Sequence, residues 1–342
     1  MSTAIRAWAA DTAGSAFEPF EYEPGPLPAE HVEVHVEHCG VCHSDLSMLD
    51  NEWQQTVYPF VPGHEIVGTV VAKGEQAKGL KVGDRVGVGW FSGSCMHCAQ
   101  CLSGAHSLCR DTQGIIVGRH GGFADRVRAH WAWTTKLPAK LDHRAAGPLF
   151  CGGATVFAPI VDFGVKPTDR VGVVGIGGLG HMAVMFLNKW GCEVTAFTSS
   201  ESKRAEAQAL GAHRVVTSTD KAALKKLAGS LDFILVTVNV KLDWAAYLAA
   251  LRPRGRLHFV GAVLDPIAFN AFQLIGGQKS VSGSPVGGPA LTATMLEFCA
   301  RHGIAPTVER FPMSQVNEAI EHLRSGKARY RVLLTAEPTA AR

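Results

Sequence analysis

Residues 171–180, V-G-V-V-G-I-G-G-L-G, turn the chain from one job to another and decide its fold. The apolar and small residues that open the stretch read as a buried strand, and the glycines behind them let the backbone turn tightly enough to approach a pyrophosphate. A helix signal follows at once: His181, Met182, Ala183, Val184, Met185, Phe186 and Leu187 run on to Gly191, a good C-terminal stop. Gly175, Gly177, Gly178, Leu179 and Gly180 therefore sit between a strand and a helix N-terminus, the context a dinucleotide-binding turn requires. An ordinary glycine-rich turn would carry the same glycines. A second strand at 194–198 favours the dinucleotide reading.

Working outward, 342 residues is too long for one small core, so two domains are expected. Lys+Arg number 33 against 30 Asp+Glu, no basic run stands out, and nucleic acid is not indicated as a partner. No apolar run approaches the length needed to span a bilayer, and the N-terminus lacks the apolar core of a signal peptide. Nine cysteines in such a chain point to reduced thiols and metal ligation rather than a disulfide framework, and to the cytoplasm.

The first half reads as β-rich. Val32, Val34 and Val36 alternate with Glu33, His35 and Glu37, the pattern of a strand with one wet face, so His31, His35 and His38 are expected on the solvent side rather than as ligands. Further strands are expected at 66–71, 84–88 and 123–127, in a compact antiparallel β-fold with long loops.

Those loops carry the cysteines. Cys95, Cys98, Cys101 and Cys109 form C-x2-C-x2-C-x7-C, close enough in sequence to wrap four thiolates around one tetrahedral zinc. Four-cysteine ligation also suits an iron–sulfur cluster. Zinc in a structural role is favoured, since nothing else in the sequence points to electron transfer. A looser set is Cys42 in C-G-V-C-H-S-D, His64 in P-G-H-E, and Cys151 in F-C-G-G-A-T. Singly, each reads as a buried cysteine or structural histidine. Together with the dinucleotide-binding turn they match a Cys2His catalytic zinc that keeps a fourth position open.

The combination of Cys42, His64-Glu65, the four-cysteine lobe, Cys151 and the G-I-G-G-L-G turn resembles the zinc-dependent medium-chain alcohol dehydrogenases. G-V-C-H-S-D, V-P-G-H-E and the late R-Y-R-V-L-L resemble the cinnamyl alcohol dehydrogenase branch and its bacterial NADPH aldehyde reductases. The resemblance implies an α/β protein: a co-chaperonin-like β-rich catalytic domain over 1–151, a doubly wound Rossmann domain over 152–284, and a return to the catalytic domain over 285–342. It implies one catalytic zinc on Cys42, His64 and Cys151, with Asp45 fixing the His64 ring and Glu65 beside the metal. Ser44 would bond the substrate oxygen and start the proton relay, although the same serine is a natural cap for a following helix. Thr155 would pack near the nicotinamide and Arg331 would reach the pyrophosphate. Many relatives carry a relay histidine where this chain has Ser47, which leaves a route through the ribose and water or one to Asp50. Trp53 and Trp90 fall where that branch lines its substrate cleft, which is compatible with aromatic or medium-chain aldehydes and equally with core packing.

After Gly191 strand and helix alternate, with helices expected at 203–210, 221–228 and 244–251 and strands at 214–216, 231–238, 256–261 and 279–284. In the family the last strand pairs with its counterpart in a second copy, which implies a homodimer. A helix at 290–301 leads back toward the catalytic domain. An NAD-preferring enzyme carries an acid at the end of the second strand. Here Thr198, Ser199 and Ser200 stand there, with Lys203 just beyond, which favours NADP(H). Thr198 and Glu201 also spell a capping box. The expected activity is reduction of a small aldehyde to a primary alcohol. The alternatives are an NAD-preferring alcohol or polyol dehydrogenase, a zinc-free reductase of quinones or enones, and a binding module built on the four-cysteine lobe.

Overall fold

The computed structural model describes residues 4–337. The chain divides into two compact units, one of residues up to Ala154 together with those from Gly287 onward, the other Thr155–Val286.

The first unit is built on a seven-stranded sheet. Its path runs Val308–Pro312, Arg331–Thr335, His31–Val41, Ile66–Lys73, Arg85–Val88 and Thr134–Lys136, with Arg126–His130 pairing to His31–Val41 off that path. Val32, Val34 and Val36 are fully buried and pack with Ile66, Val70, Val86 and Phe123. Alternation explains the valines but not Glu33. That carboxylate is only 7 % exposed, because Arg126 Nη1 (3.1 Å) and Arg128 Nε (2.7 Å) from the neighbouring strand bond it, so a paired charge sits where water was expected. The strand expected at 123–127 instead spans Arg126–His130. The sheet is also not wholly antiparallel, since Val308–Pro312 and Arg331–Thr335 pair in parallel. A connection through the helix Val316–Arg324 makes that possible, and this helix was not expected.

The second unit is a six-stranded parallel sheet in the order Arg214–Thr217, Glu193–Thr198, Arg170–Val174, Leu231–Val236, Leu251–Phe259, Ser280–Gly283. Strand order reverses between Arg170–Val174 and Leu231–Val236, and open α/β sheets bind ligands in the crevice at the carboxyl ends of such strands. The helix Gly180–Trp190 follows the first of these and ends on Gly191 at φ +110°, a left-handed cap that favours glycine. Among the described residues no helix is long and apolar enough to cross a membrane.

Candidate active site

The His31–Val41 strand delivers Cys42 directly to the N-terminus of the helix His43–Leu49, where Cys42 is the N-cap. Its N–H donates to Asp45 Oδ2 at 2.9 Å, so Asp45 does the capping work and Ser44 is simply the second helical residue. The other Asp45 oxygen accepts from Gly63 N at 2.9 Å and lies 3.0 Å from His64 Nδ1. Asp45 is fully buried and thus holds three donors, which fixes the His64 ring with Nε2 pointing away from it.

Around that nitrogen the donors converge. Cys42, His64, Glu65 and Cys151 offer ligand atoms all within 4.8 Å of one another. Cys42 Sγ and Cys151 Sγ are 4.0 Å apart, twice the length of a disulfide. Two thiolates on one tetrahedral zinc stand about 3.8 Å apart, given Zn–S bonds of ~2.3 Å. His64 Nε2 is buried with no hydrogen-bond partner, an orphan of the kind a metal satisfies. The residues present fit a Cys2His zinc. Contact with Cys151 sets the Cys42 thiol well below its ordinary range against the opposing effect of burial, and the same contact pushes Cys151 up. Burial alone would lower the His64 pKa, but the charges of Asp45 and Cys42 outweigh it and raise it.

Glu65 sits beside this set at zero exposure, in space kept open by Gly40, where a Cβ would stand 1.9 Å from Glu65 Oε2. Burial pushes its carboxyl up to about 7 against the nearby Arg331 charge. Arg331, 3 % exposed, points its guanidinium at Glu65. The structure thus places Arg331 with the metal donors of the first unit.

Trp90 meets the His64 ring edge to face at 5.0 Å, and Trp53 meets Trp90 the same way at 5.9 Å. Both indoles are half-buried. Ser44 Oγ lies 3.9 Å from Cys42 Sγ, whereas Ser47 is 3 % exposed. Asp50 is clamped by Arg324 through two bonds of 2.7 and 3.1 Å, so its carboxylate is already committed.

The second cysteine set is equally compact. Cys95, Cys98, Cys101 and Cys109 hold their sulfurs within 4.8 Å of one another, with Cys95 and Cys101 at 3.9 Å. Backbone amides of Cys98 and Asp111 donate to Cys95 and Cys109 at 3.3 Å each, stabilising thiolates. This set closes around four sulfurs and leaves no position for a substrate.

In the second unit a cavity of about 360 Å³ opens at the reversal point, lined by Gly175, Ile176, Gly177, Thr198, Ser199, Lys203 and Ser218, with Lys203 Nζ donating to the Ile176 carbonyl at 3.3 Å. Gly180 must be glycine for the protein's own sake, because a Cβ there would lie 1.8 Å from the Gly175 carbonyl oxygen. A Cβ at Gly177 would meet nothing within 4 Å, so its bareness serves whatever enters the cavity. Gly178, Leu179 and Ser200 are outside that lining, and Thr155 is 8 % exposed in the helix Gly152–Asp162. Thr237, Val238, Asn239 and Val240 line the cavity and were missed. They follow the strand Leu231–Val236, so the rule of the reversing strand order would have found them. The capping box of Thr198 with Glu201 does not form. Ser200 caps the turn instead, Thr198 Oγ1 bonds the Ser200 backbone, and Glu201 pairs with Arg204 and Thr217.

Residues 28–139 match the alcohol dehydrogenase GroES-like domain and residues 178–301 the zinc-binding dehydrogenase domain. The chain is 57% identical over 331 residues to an aldehyde reductase of Synechocystis sp., covering 97% of this chain and 98% of that one. It superposes with TM-score 0.93 on a cinnamyl alcohol dehydrogenase of Sorghum bicolor, at 36% identity and covering 99% and 100%. A CAD of Helicobacter pylori complexed with NADP(H) matches with TM-score 0.89 at 28% identity, covering 98% and 99%.

Proposed function

Since this chain belongs to the zinc-dependent medium-chain alcohol dehydrogenases, and so interconverts alcohols and aldehydes, we propose that it uses NADPH to reduce aromatic or medium-chain aldehydes to primary alcohols. The observation that carries the proposal is the buried, unpartnered His64 Nε2 facing two thiols. When bound, zinc supplies a Lewis acid for the substrate oxygen and NADPH supplies the hydride. We assign Cys42, His64 and Cys151 as the ligands, and Cys95, Cys98, Cys101 and Cys109 as holders of a structural zinc. Asp45 keeps His64 in the ligating tautomer, and Arg331 holds Glu65 beside the donors. Trp90, packed on His64, and Trp53 behind it offer flat apolar surface to an aromatic or aliphatic chain. The NADP(H) in the H. pylori relative supports the cofactor, as does the Ser199–Lys203 side of the cavity. Exposed Leu264, Phe272 and Ile275, on the segment that leads into the edge strand Ser280–Gly283, support a homodimer, and nine unpaired cysteines support a reducing, cytoplasmic setting. The test is NADPH oxidation against a panel of aromatic and medium-chain aldehydes, before and after removal of zinc. Turnover lost on chelation and regained with zinc is expected. Full activity with both zincs gone, or no aldehyde turned over, would sink the proposal.

Ser44 is assigned the proton on the substrate oxygen. Its Ala variant should lose about 10²-fold or more in kcat, the range of general acid–base help. Ser47→Ala should stay within about threefold, because Ser47 is buried in its helix, with packing rather than proton transfer at stake. Stopped-flow rates with deuterated cofactor would separate the two variants, and equal large losses would return Ser47 to the relay.

A further inference from the structure

Neighbouring residues of a strand point to opposite faces, so Glu37 and His38 should not converge on one spot. Here the ladder to Ile66–Lys73 slips: Val36 stands opposite Gly68, His38 opposite Val67, and Glu37 opposite nothing. Such an inserted residue re-aims side chains. From a different part of the chain, the turn His143–Ala145 brings His143 to the same place, its ring centroid 6.3 Å from that of His38. Ligand atoms of Glu37, His38 and His143 all lie within 4.8 Å of one another, and all three side chains are half-buried.

We infer that Glu37, His38 and His143 form a third metal site, which takes a divalent first-row transition ion on two imidazoles and one carboxylate and leaves the remaining positions to water. The supporting shell is present. Thr335, paired with His38 in register, sets its Oγ1 3.3 Å from His38 Nδ1, which leaves Nε2 for the ion. Thr69 Oγ1 donates to the Glu37 carboxylate at 2.5 Å. Outer partners of this kind orient metal-binding histidines and carboxylates. Imidazole-rich donor sets suit nickel, copper or zinc over magnesium or calcium. Two cations oppose the ion: Arg310 acts on His38 from a distance, and Arg85 Nη2, 3.3 Å from Glu37 Oε2, competes directly for the carboxylate. The Arg85 side chain is 45 % exposed, so it can swing into water, and the site is therefore weak and exchangeable rather than permanently filled. The site is separate from the Cys42 set, since His38 precedes Cys42 by four residues of strand, about 13 Å at ~3.3 Å per residue.

The competing arginine makes the test specific. Full-length, untagged, zinc-loaded enzyme is titrated with nickel(II) chloride by calorimetry and equilibrium dialysis. Wild type should take up one nickel per chain beyond its zinc. His143→Ala removes a ligand itself and should weaken that binding by more than the ~10- to 100-fold that loss of an outer hydrogen-bond partner costs. Arg85→Ala should tighten it several-fold by freeing Glu37. Neither change should alter aldehyde reduction in nickel-free buffer. His38→Gln replaces His143→Ala if that variant misfolds. The inference is overturned if wild type binds no saturable nickel at millimolar concentration. It is overturned equally if the histidine variant titrates like wild type, or if Arg85→Ala fails to tighten binding.

Discussion

Cys151→Ser should cut turnover by about 10³-fold or more while the protein still folds, because the Lewis acid it helps hold is worth several kcal/mol in the transition state. Zinc content should fall from two per chain to one. The melting temperature should barely move, since Cys151 opens a helix whose neighbours Leu149, Phe150 and Ala154 are buried independently of the metal. The Cys98→Ser variant should behave in the opposite way. The loop around the four sulfurs leaves Leu102 and Leu108 exposed, at 77 % and 54 %, and so has little apolar burial of its own to hold it. Loss of its metal should lower the melting temperature by about 10 °C, given ~2–4 °C per kcal/mol for a unit of this size. Intrinsic activity of the surviving folded fraction should change much less. Zinc analysis, calorimetry and kcat on the two variants check both halves, and near-normal turnover in Cys151→Ser removes that cysteine from the ligand set.

The residues that meet in space were legible wherever local chemistry left a mark. C-x2-C-x2-C-x7-C closes within one loop, and its four sulfurs do come together. Cys42, His64 and Cys151 lie far apart in sequence, so only their residue types and the resemblance, not their spacing, joined them beforehand. The second unit's strands were visible because parallel strands buried on both faces are continuous apolar runs broken by glycine. The first unit was harder. Glu33 looks solvent-facing until two arginines from another strand are set beside it, and neither pairing has a local signal. The slip at Glu37 is a property of two strands at once, which a period-two reading of one strand cannot contain. Arg331 carries the same lesson. The carboxylate it bonds, Glu65, is 266 residues away, a pairing with no local signal.

Lys203→Glu should lower kcat/KM for NADPH by about 30- to 10³-fold, the loss of one charge-assisted contact of ~2–4 kcal/mol, while NADH suffers far less. The 2′-phosphate is the only difference between the two cofactors, so whatever reads it must sit at the end of the strand Glu193–Thr198. Ser199, exposed there, lines the cavity together with Lys203 and Ser218. Glu201 does not oppose a phosphate: it gives its carboxylate to Arg204 and to Thr217 Oγ1 at 3.2 Å, so its charge is answered outside the cavity lining. Thr198 is a poor place to insert an acid. It is 2 % exposed and its hydroxyl is tied to the Ser200 backbone, so Thr198→Asp would bury a charge and disturb the turn as well as the cofactor. Ser199→Asp is the cleaner swap, placing a carboxylate where NAD-preferring enzymes keep theirs. It should shift the ratio of NADPH to NADH efficiency in the same direction as Lys203→Glu. Steady-state kinetics with both cofactors at saturating aldehyde give that ratio directly. A wild type indifferent to the phosphate, or a ratio that neither substitution moves, would mean that this end of the cavity does not read it.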